Sequence, residues 1–312
     1  MKTIINNYLY DITLGDIQEF ANLAVQPLFS TLPTPTNYTS LNEGLRTGQI
    51  TISELPTGPS VSHVHVVNRG ACPVILLHGE EVVGAWQNRV FNTTILVAEN
   101  SETVVPVSCT ESGRWSPASD KFYNSDVVMT PDHRGKMSAQ VSFSLQNQKT
   151  YDSDQGEVWD EISTFARRAN VSSNTDAMKD VYTERERDVS EYETAFKIVP
   201  GQKGMVLFVN GKIRGLEMVS SEQVYRDYHS KLLQSYIIEA ITIDNGGARE
   251  EVKKPLAYEA ETFMRNAASW GQMEYSSVGI GDDYRFEDPE KTGSALLNGD
   301  ELIHMALFDQ SE

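Results

Sequence analysis

Val61-Ser62-His63-Val64-His65-Val66-Val67 alternates without a break, with His63 and His65 on one face and Val64 and Val66 on the other. A period of two marks a β-strand with one covered face. Outward from it the same texture continues. Ile50, Ile52 and Leu55 alternate on the N-terminal side. Pro73–Leu77, Val82-Val83, Val90–Val97 and Thr103–Val107 follow as short apolar runs, with His78-Gly79-Glu80-Glu81 as a turn. Residues 49–109 therefore read as about six antiparallel strands joined by tight turns.

The flanks read differently. The spacing predicts a helix over Leu14–Leu23 that Gln26-Pro27 ends, a loop over Leu32–Thr36, and a short helix from a Ser40/Glu43 capping box to Gly48. Beyond Trp115 the expected helices are Gly135–Gln148, Gln155–Ala169 and Glu184–Ile198. A hairpin over 203–219 turns at Asn210-Gly211, and Ser220 and Gln223 cap a long helix to Ile241. A helix from Pro255 to near Trp270 and strands at Gln272–Val278 and Glu301–Phe308 complete the chain. The expected class is α+β, a β-rich antiparallel N-terminal part followed by a helix-rich part with an inserted hairpin. The expected division is 1–115 and 116–312, or one compact unit if the polar stretch 116–134 is an active-site loop.

Composition narrows the function classes. A formal charge of −18 over 312 residues disfavours nucleic acid as a partner. Cys72 and Cys109 are too few for a disulfide scaffold. The start has no apolar signal region, and no run approaches the roughly 18 apolar residues of a membrane span, so a cytoplasmic protein is expected. Walker, dinucleotide-binding, GxSxG and paired CxxC motifs do not occur in the sequence.

Two polar blocks stand out. In Gly79–Arg89 the run Gln87-Asn88-Arg89 sets two amides beside a planar cation, more hydrogen-bonding capacity than a structural strand needs. It suits a phosphate, carboxylate or sugar edge, and equally a polar hairpin with a structural Arg ion pair. In Ser108–Trp115 a strand runs into a loop carrying Ser108, Cys109, Glu111, Arg114 and Trp115. Ser108 or Cys109 is a candidate nucleophile with Glu111 as base, although a lone Cys at a strand end usually packs. Glu80, Glu81 and Glu111 are candidate general bases or cation ligands, or solvent-facing turn residues. His63 and His65, with His78 and Glu80, have metal-like spacing, and a surface strand explains them as well. Gln155 opens a helix whose free amides suit an anion, although Asp154 as N-cap explains the same fragment.

The order Asn68-Arg69-Gly70, Gly79-Glu80-Glu81-x-x-Gly84-Ala85-x-Gln87-Asn88-Arg89 and Val105–Cys109-x-Glu111-x-Gly113-Arg114-Trp115 resembles the ARPP family. The likeness runs on through Ser153–Trp159 and the Gly204–Leu216 hairpin. That family is named for association with ADP-ribosylglycohydrolases and rhodanese-phosphatases. Trp86 stands where the likeness implies a smaller residue, and the segment after Asn245 falls outside it. The resemblance implies a small anionic ligand derived from ADP-ribose or NAD. Arg89 and Arg114 would hold phosphates, Trp115 or Trp86 would stack on a base, and Gln87 and Asn88 would read its edges. Ser108, Cys109 and Gln155 would complete the contact set. Glu80 and Glu111 would act as acid, base or ligands of Mg²⁺, with hydrolysis as the reaction. A non-catalytic sensor needs the same arginines without a reacting carboxylate. A homo-oligomeric scaffold would instead pair Arg89 and Arg114 with Glu80 and Glu111 as buried ion pairs.

Overall fold

Strand Gly204–Val209 is buried at every position. Met205, Leu207 and Val209 join one hydrophobic core, while Val206 and Phe208 join another. Successive side chains of a strand point to opposite faces, so a strand covered on both sides has no polar face to show. The computed structural model, which describes residues 2–244 and 254–311, sets this strand in a nine-stranded antiparallel sheet. Its order is 13–14, 23–29, 204–209, 212–219, 301–309, 291–298, 282–288 and 271–276, with 18–20 also paired to 23–29.

Eight helices occur among the described residues: α1 (Lys2–Asp11), α2 (Leu41–Arg46), α3 (Pro131–Gln148), α4 (Gln155–Arg168), α5 (Met178–Glu184), α6 (Glu186–Glu193), α7 (Glu222–Asp244) and α8 (Ala257–Ala267). Ile5 and Leu9 of α1, with Phe263 and Met264 of α8, pack in the core of Val206 and Phe208. Met137 of α3, Ile162 of α4 and Tyr236 of α7 pack in the core of Met205 and Leu207. Among the described residues no helix is long and apolar enough to cross a membrane.

A six-stranded antiparallel sheet runs 122–128, 80–84, 89–91, 101–109, 63–68 and 50–53, and 95–97, 74–76 and 39–40 form a small third sheet. Val64 and Val66 are buried in a core of their own with Val105 and Val107, as the alternation of 61–67 requires. Helix α7 ties the nine-stranded sheet to the small third one. The Tyr228 hydroxyl donates to the Ile75 carbonyl (2.9 Å), and the Asn22 amide donates to the Ala240 carbonyl (3.0 Å).

The architecture is α+β, with antiparallel strands dominating the N-terminal part and most helices following. The hairpin turns at Asn210 (φ 52°) and Gly211 (φ 75°), the left-handed pair of a type I′ turn. The Ser40 hydroxyl accepts from the Glu43 amide, so that cap is formed. Leu14–Leu23 is not a helix: 13–14, 18–20 and 23–29 are strands, because the edge of 204–209 pairs with Leu23 through Leu28. A long-range partner overrides weak helical spacing. The helix expected over Glu184–Ile198 is shorter, α6, and follows α5 at a break on Arg185. Strands 282–288 and 291–298 enter between the two C-terminal strands read from sequence.

Candidate functional site

The register of the six-stranded sheet brings the two polar blocks side by side: Cys109 pairs with Arg89 and Ser108 with Val90. Their side chains then satisfy one another. Arg114 forms a two-pronged bond to Glu111, Nε to Oε1 at 2.9 Å and a terminal nitrogen to Oε2 at 2.6 Å. The remaining guanidinium hydrogens go to the carbonyls of Gly84, Ala85 and Ser116 and to Asn88 Oδ1. Burial is the largest influence and would raise the Glu111 carboxyl, but the hydrogen bonds from Arg114, Thr175 and the Asn88 N–H and the Arg114 charge together hold it below its ordinary value. The Gln87 amide donates to the Glu111 carbonyl (2.6 Å), and the Asn88 backbone N–H donates to the Glu111 carboxylate (3.3 Å).

Arg89 is fully buried and donates to the Asn88 and Ser60 carbonyls. Gln155 clamps the Cys109 backbone through both amide atoms, accepting from its N–H (2.7 Å) and donating to its carbonyl (2.9 Å). The Ser108 hydroxyl donates to Asn92 Oδ1 (2.8 Å). Burial pushes the Cys109 thiol up to about 11, so it is protonated at neutral pH. Trp115 is the member of the set open to solvent, 49% exposed and tilted against Trp86 at 5.5 Å. Replacing Arg114 with alanine strands several buried acceptors and is expected to cost about 1–3 kcal/mol. Urea unfolding checks this, and an unchanged midpoint would show that the staple contributes nothing.

The carboxylates of the first block part company. Glu80 turns to α7, where it pairs with Lys231 and accepts from the Tyr228 hydroxyl (3.2 Å), so it does not share a site with Glu111. Glu81 turns the other way, accepting from Thr110 Oγ1 (2.6 Å) and Ser125 Oγ (2.5 Å). Complete burial pushes the Glu81 carboxyl up to about 7, against the lowering pull of those two hydroxyls and of Lys179. His78 is buried beside Phe308, while His65 pairs at the surface with Glu102 (3.2 Å). The group within metal-ligand reach among the described residues lies elsewhere, at Asp132, His133 and Glu161.

Glu161 comes from α4, while Asp132 and His133 sit at the start of α3, in the stretch 116–134 whose role sequence left open. Thr130 caps the helix, accepting from the His133 N–H, and Pro131 occupies its first turn. The helix period then divides its side chains. Arg134, Met137, Ser138 and Val141 are buried towards the core, while Asp132, His133 and Lys136 line a cleft of ≈ 400 Å³. Across the cleft stand Arg168 at the end of α4, Arg214 from the hairpin and Glu239 of α7. Arg214 Nε donates to Glu239 (2.9 Å), and the other Glu239 oxygen accepts from the Asp132 N–H (3.0 Å). Lys136 Nζ bridges Asp132 (3.2 Å) and Glu161 (2.8 Å). Arg168 is exposed and has no bonded partner among the described residues. Burial pushes His133 down to about 4 against the raising pull of Asp132 and Glu161, with smaller lowering from Lys136 and Arg168, so its ring is neutral at pH 7. A similar groove of ≈ 450 Å³ beside α1 is lined by Asp300 and Glu301 and by no cation, so it does not suit an anion. The sequence signal for this site was Thr130-Pro131-Asp132, a cap followed by a first-turn proline and acid.

Neither a curated protein nor a solved structure matches the chain. A family model does, over residues 11–308, nearly the whole length. The chain therefore belongs to the ARPP-1 family, the ARG and Rhodanese-Phosphatase-superfamily-associated Protein domain.

Proposed function

We propose that the cleft at the start of α3 binds a small anionic ligand of the nucleotide type, and that ADP-ribose is the first compound to test. One observation carries the reading: Lys136, Arg168 and Arg214 line one cleft, where Lys136 is paired with Asp132 and Glu161 and Arg214 with Glu239, leaving Arg168 as the cation without a bonded partner among the described residues. An unpaired guanidinium at the cleft is a local anchor for a phosphate even in a chain of net charge −18. Arg168, with no bonded partner among the described residues, makes the first contact and does so without breaking an existing pair. Phe165 lines the same cleft and offers an apolar wall. The family's association with ADP-ribosylglycohydrolase and rhodanese-phosphatase systems supports a ligand of this class.

Hydrolysis is the finer part of the proposal. Glu161, whose Oε2 lies 3.5 Å from His133 Nε2, is the carboxylate placed to take a proton from a water in the cleft. Incubation with ADP-ribose followed by chromatography separates the cases. A product whose formation is lost in Glu161→Gln supports hydrolysis. Unchanged ligand with a calorimetric binding signal supports a sensor. Absence of any heat with ADP-ribose, ADP or diphosphate overturns the reading.

A second reading has one observation in its favour. The half-exposed Trp115, braced by Trp86, is a platform on which a base would stack. It keeps the ligand at the two polar blocks and away from α3.

A further inference from the structure

We infer that Asp132, His133 and Glu161 bind one first-row divalent transition ion, Zn²⁺ or Mn²⁺, with an open coordination position facing the cleft. The ligand atoms of the three residues lie within 4.8 Å of one another. Ligands at roughly 2.0–2.2 Å from one ion stand about 3.0–3.6 Å apart, and the 3.5 Å between His133 Nε2 and Glu161 Oε2 is such an edge. The two carboxylates already converge on a positive charge, since Lys136 Nζ sits 3.2 Å from one and 2.8 Å from the other. The lysine side chain is 36% exposed and has room to swing away.

His133 supplies the independent sign. Its residue is 7% exposed, it lines the cleft, and it turns Nε2, the nitrogen an ion would take, towards the Glu161 carboxylate. Phe165 packs edge-on against this ring at 5.6 Å and fixes its plane. One imidazole with two carboxylates favours a transition ion that takes nitrogen beside oxygen, Zn²⁺ before Mn²⁺, over Mg²⁺, which prefers oxygen alone. Three protein ligands leave at least one position for water, and an ion-bound water ionises near neutral pH.

The inference stands apart from the nucleotide reading, because the probe is the metal alone. Zn²⁺ and Mn²⁺ are titrated calorimetrically into the full chain, and Co²⁺ is followed by its visible absorption. One equivalent should bind with a visible Co²⁺ band. Glu161→Gln, a part-exposed change whose fold is checked by circular dichroism, should weaken binding at least tenfold. Lys136→Met should tighten it about tenfold, because a competing charge is gone. A wild type that gives neither heat nor band, binding indifferent to Glu161→Gln, or weaker binding in Lys136→Met would each overturn the inference. Nucleotide binding without metal would leave the proposed function standing while removing this site.

Discussion

Replacing Arg134 with methionine is expected to destabilise the fold by about 3–5 kcal/mol, the cost of leaving one member of a buried ion pair alone. Arg134 is fully buried and pairs with Glu217, itself 0% exposed. Its Nε donates to the Met129 carbonyl (3.1 Å), and its guanidinium lies 4.9 Å from the Phe308 ring centre. The Tyr236 hydroxyl donates to the same Glu217 (3.0 Å). Burial alone would raise the Glu217 carboxyl, but Arg134 and His304 outweigh it and hold it below its ordinary value. The pair's contribution is therefore complete above the ordinary carboxylate range and is lost as pH falls through the lowered value. The close fit extends to Gly79, whose φ is +75° and where a Cβ would meet the Arg134 stem at 2.4 Å. Urea unfolding measures the effect. The double change Arg134→Met with Glu217→Met should recover much of the loss, since it removes both charges at once. A single-variant cost below about 1 kcal/mol would show that the pair is not what organises this layer.

Glu81 gives the second large effect, and its sign is opposite. Its folded carboxyl, pushed up to about 7 from an ordinary 4.5, holds its proton more tightly than the unfolded chain does. Stability from this group is therefore full below about 4.5 and declines as pH rises to about 7, by roughly 3 kcal/mol for a shift of this size. Glu81→Gln keeps a neutral side chain between Thr110 and Ser125. It should flatten that slope and raise stability at pH 8 by up to roughly 3 kcal/mol, with little change at pH 4. Unfolding curves across this range decide the matter. An identical slope in both proteins would mean that Glu81 is not the group that titrates.

What could be read in the sequence was local. The Asn210-Gly211 turn, the Ser40 cap and the alternation of 61–67 each specify a conformation within a few residues. Strand 23–29 was not legible because its partner, 204–209, lies far along the chain. Strand 282–288 was hidden for another reason. Its Asp283 and Arg285 look like solvated charges, yet they are buried and paired at 2.6 Å. The polar blocks show the same limit for the site. Their adjacency followed from strand pairing, but nothing in the sequence says whether Arg114 faces a ligand or folds back on Glu111 three residues away. The side chains around the cleft come from α3, α4, the hairpin and α7, so only the fold assembles them.

The central claim is that the anion site lies at α3 and not at the two polar blocks. Calorimetric titration of ADP-ribose into Arg168→Ala and Trp115→Ala tests it most directly. Arg168 is exposed and Trp115 is half-exposed, so both variants should fold, and wild-type stability within about 1 kcal/mol is expected of each. Loss of one charge-assisted bond corresponds to about tenfold or more in affinity. Arg168→Ala should show that loss, and Trp115→Ala should bind ADP-ribose unchanged. The reverse pattern would contradict the claim and return the ligand to the Trp86–Trp115 platform.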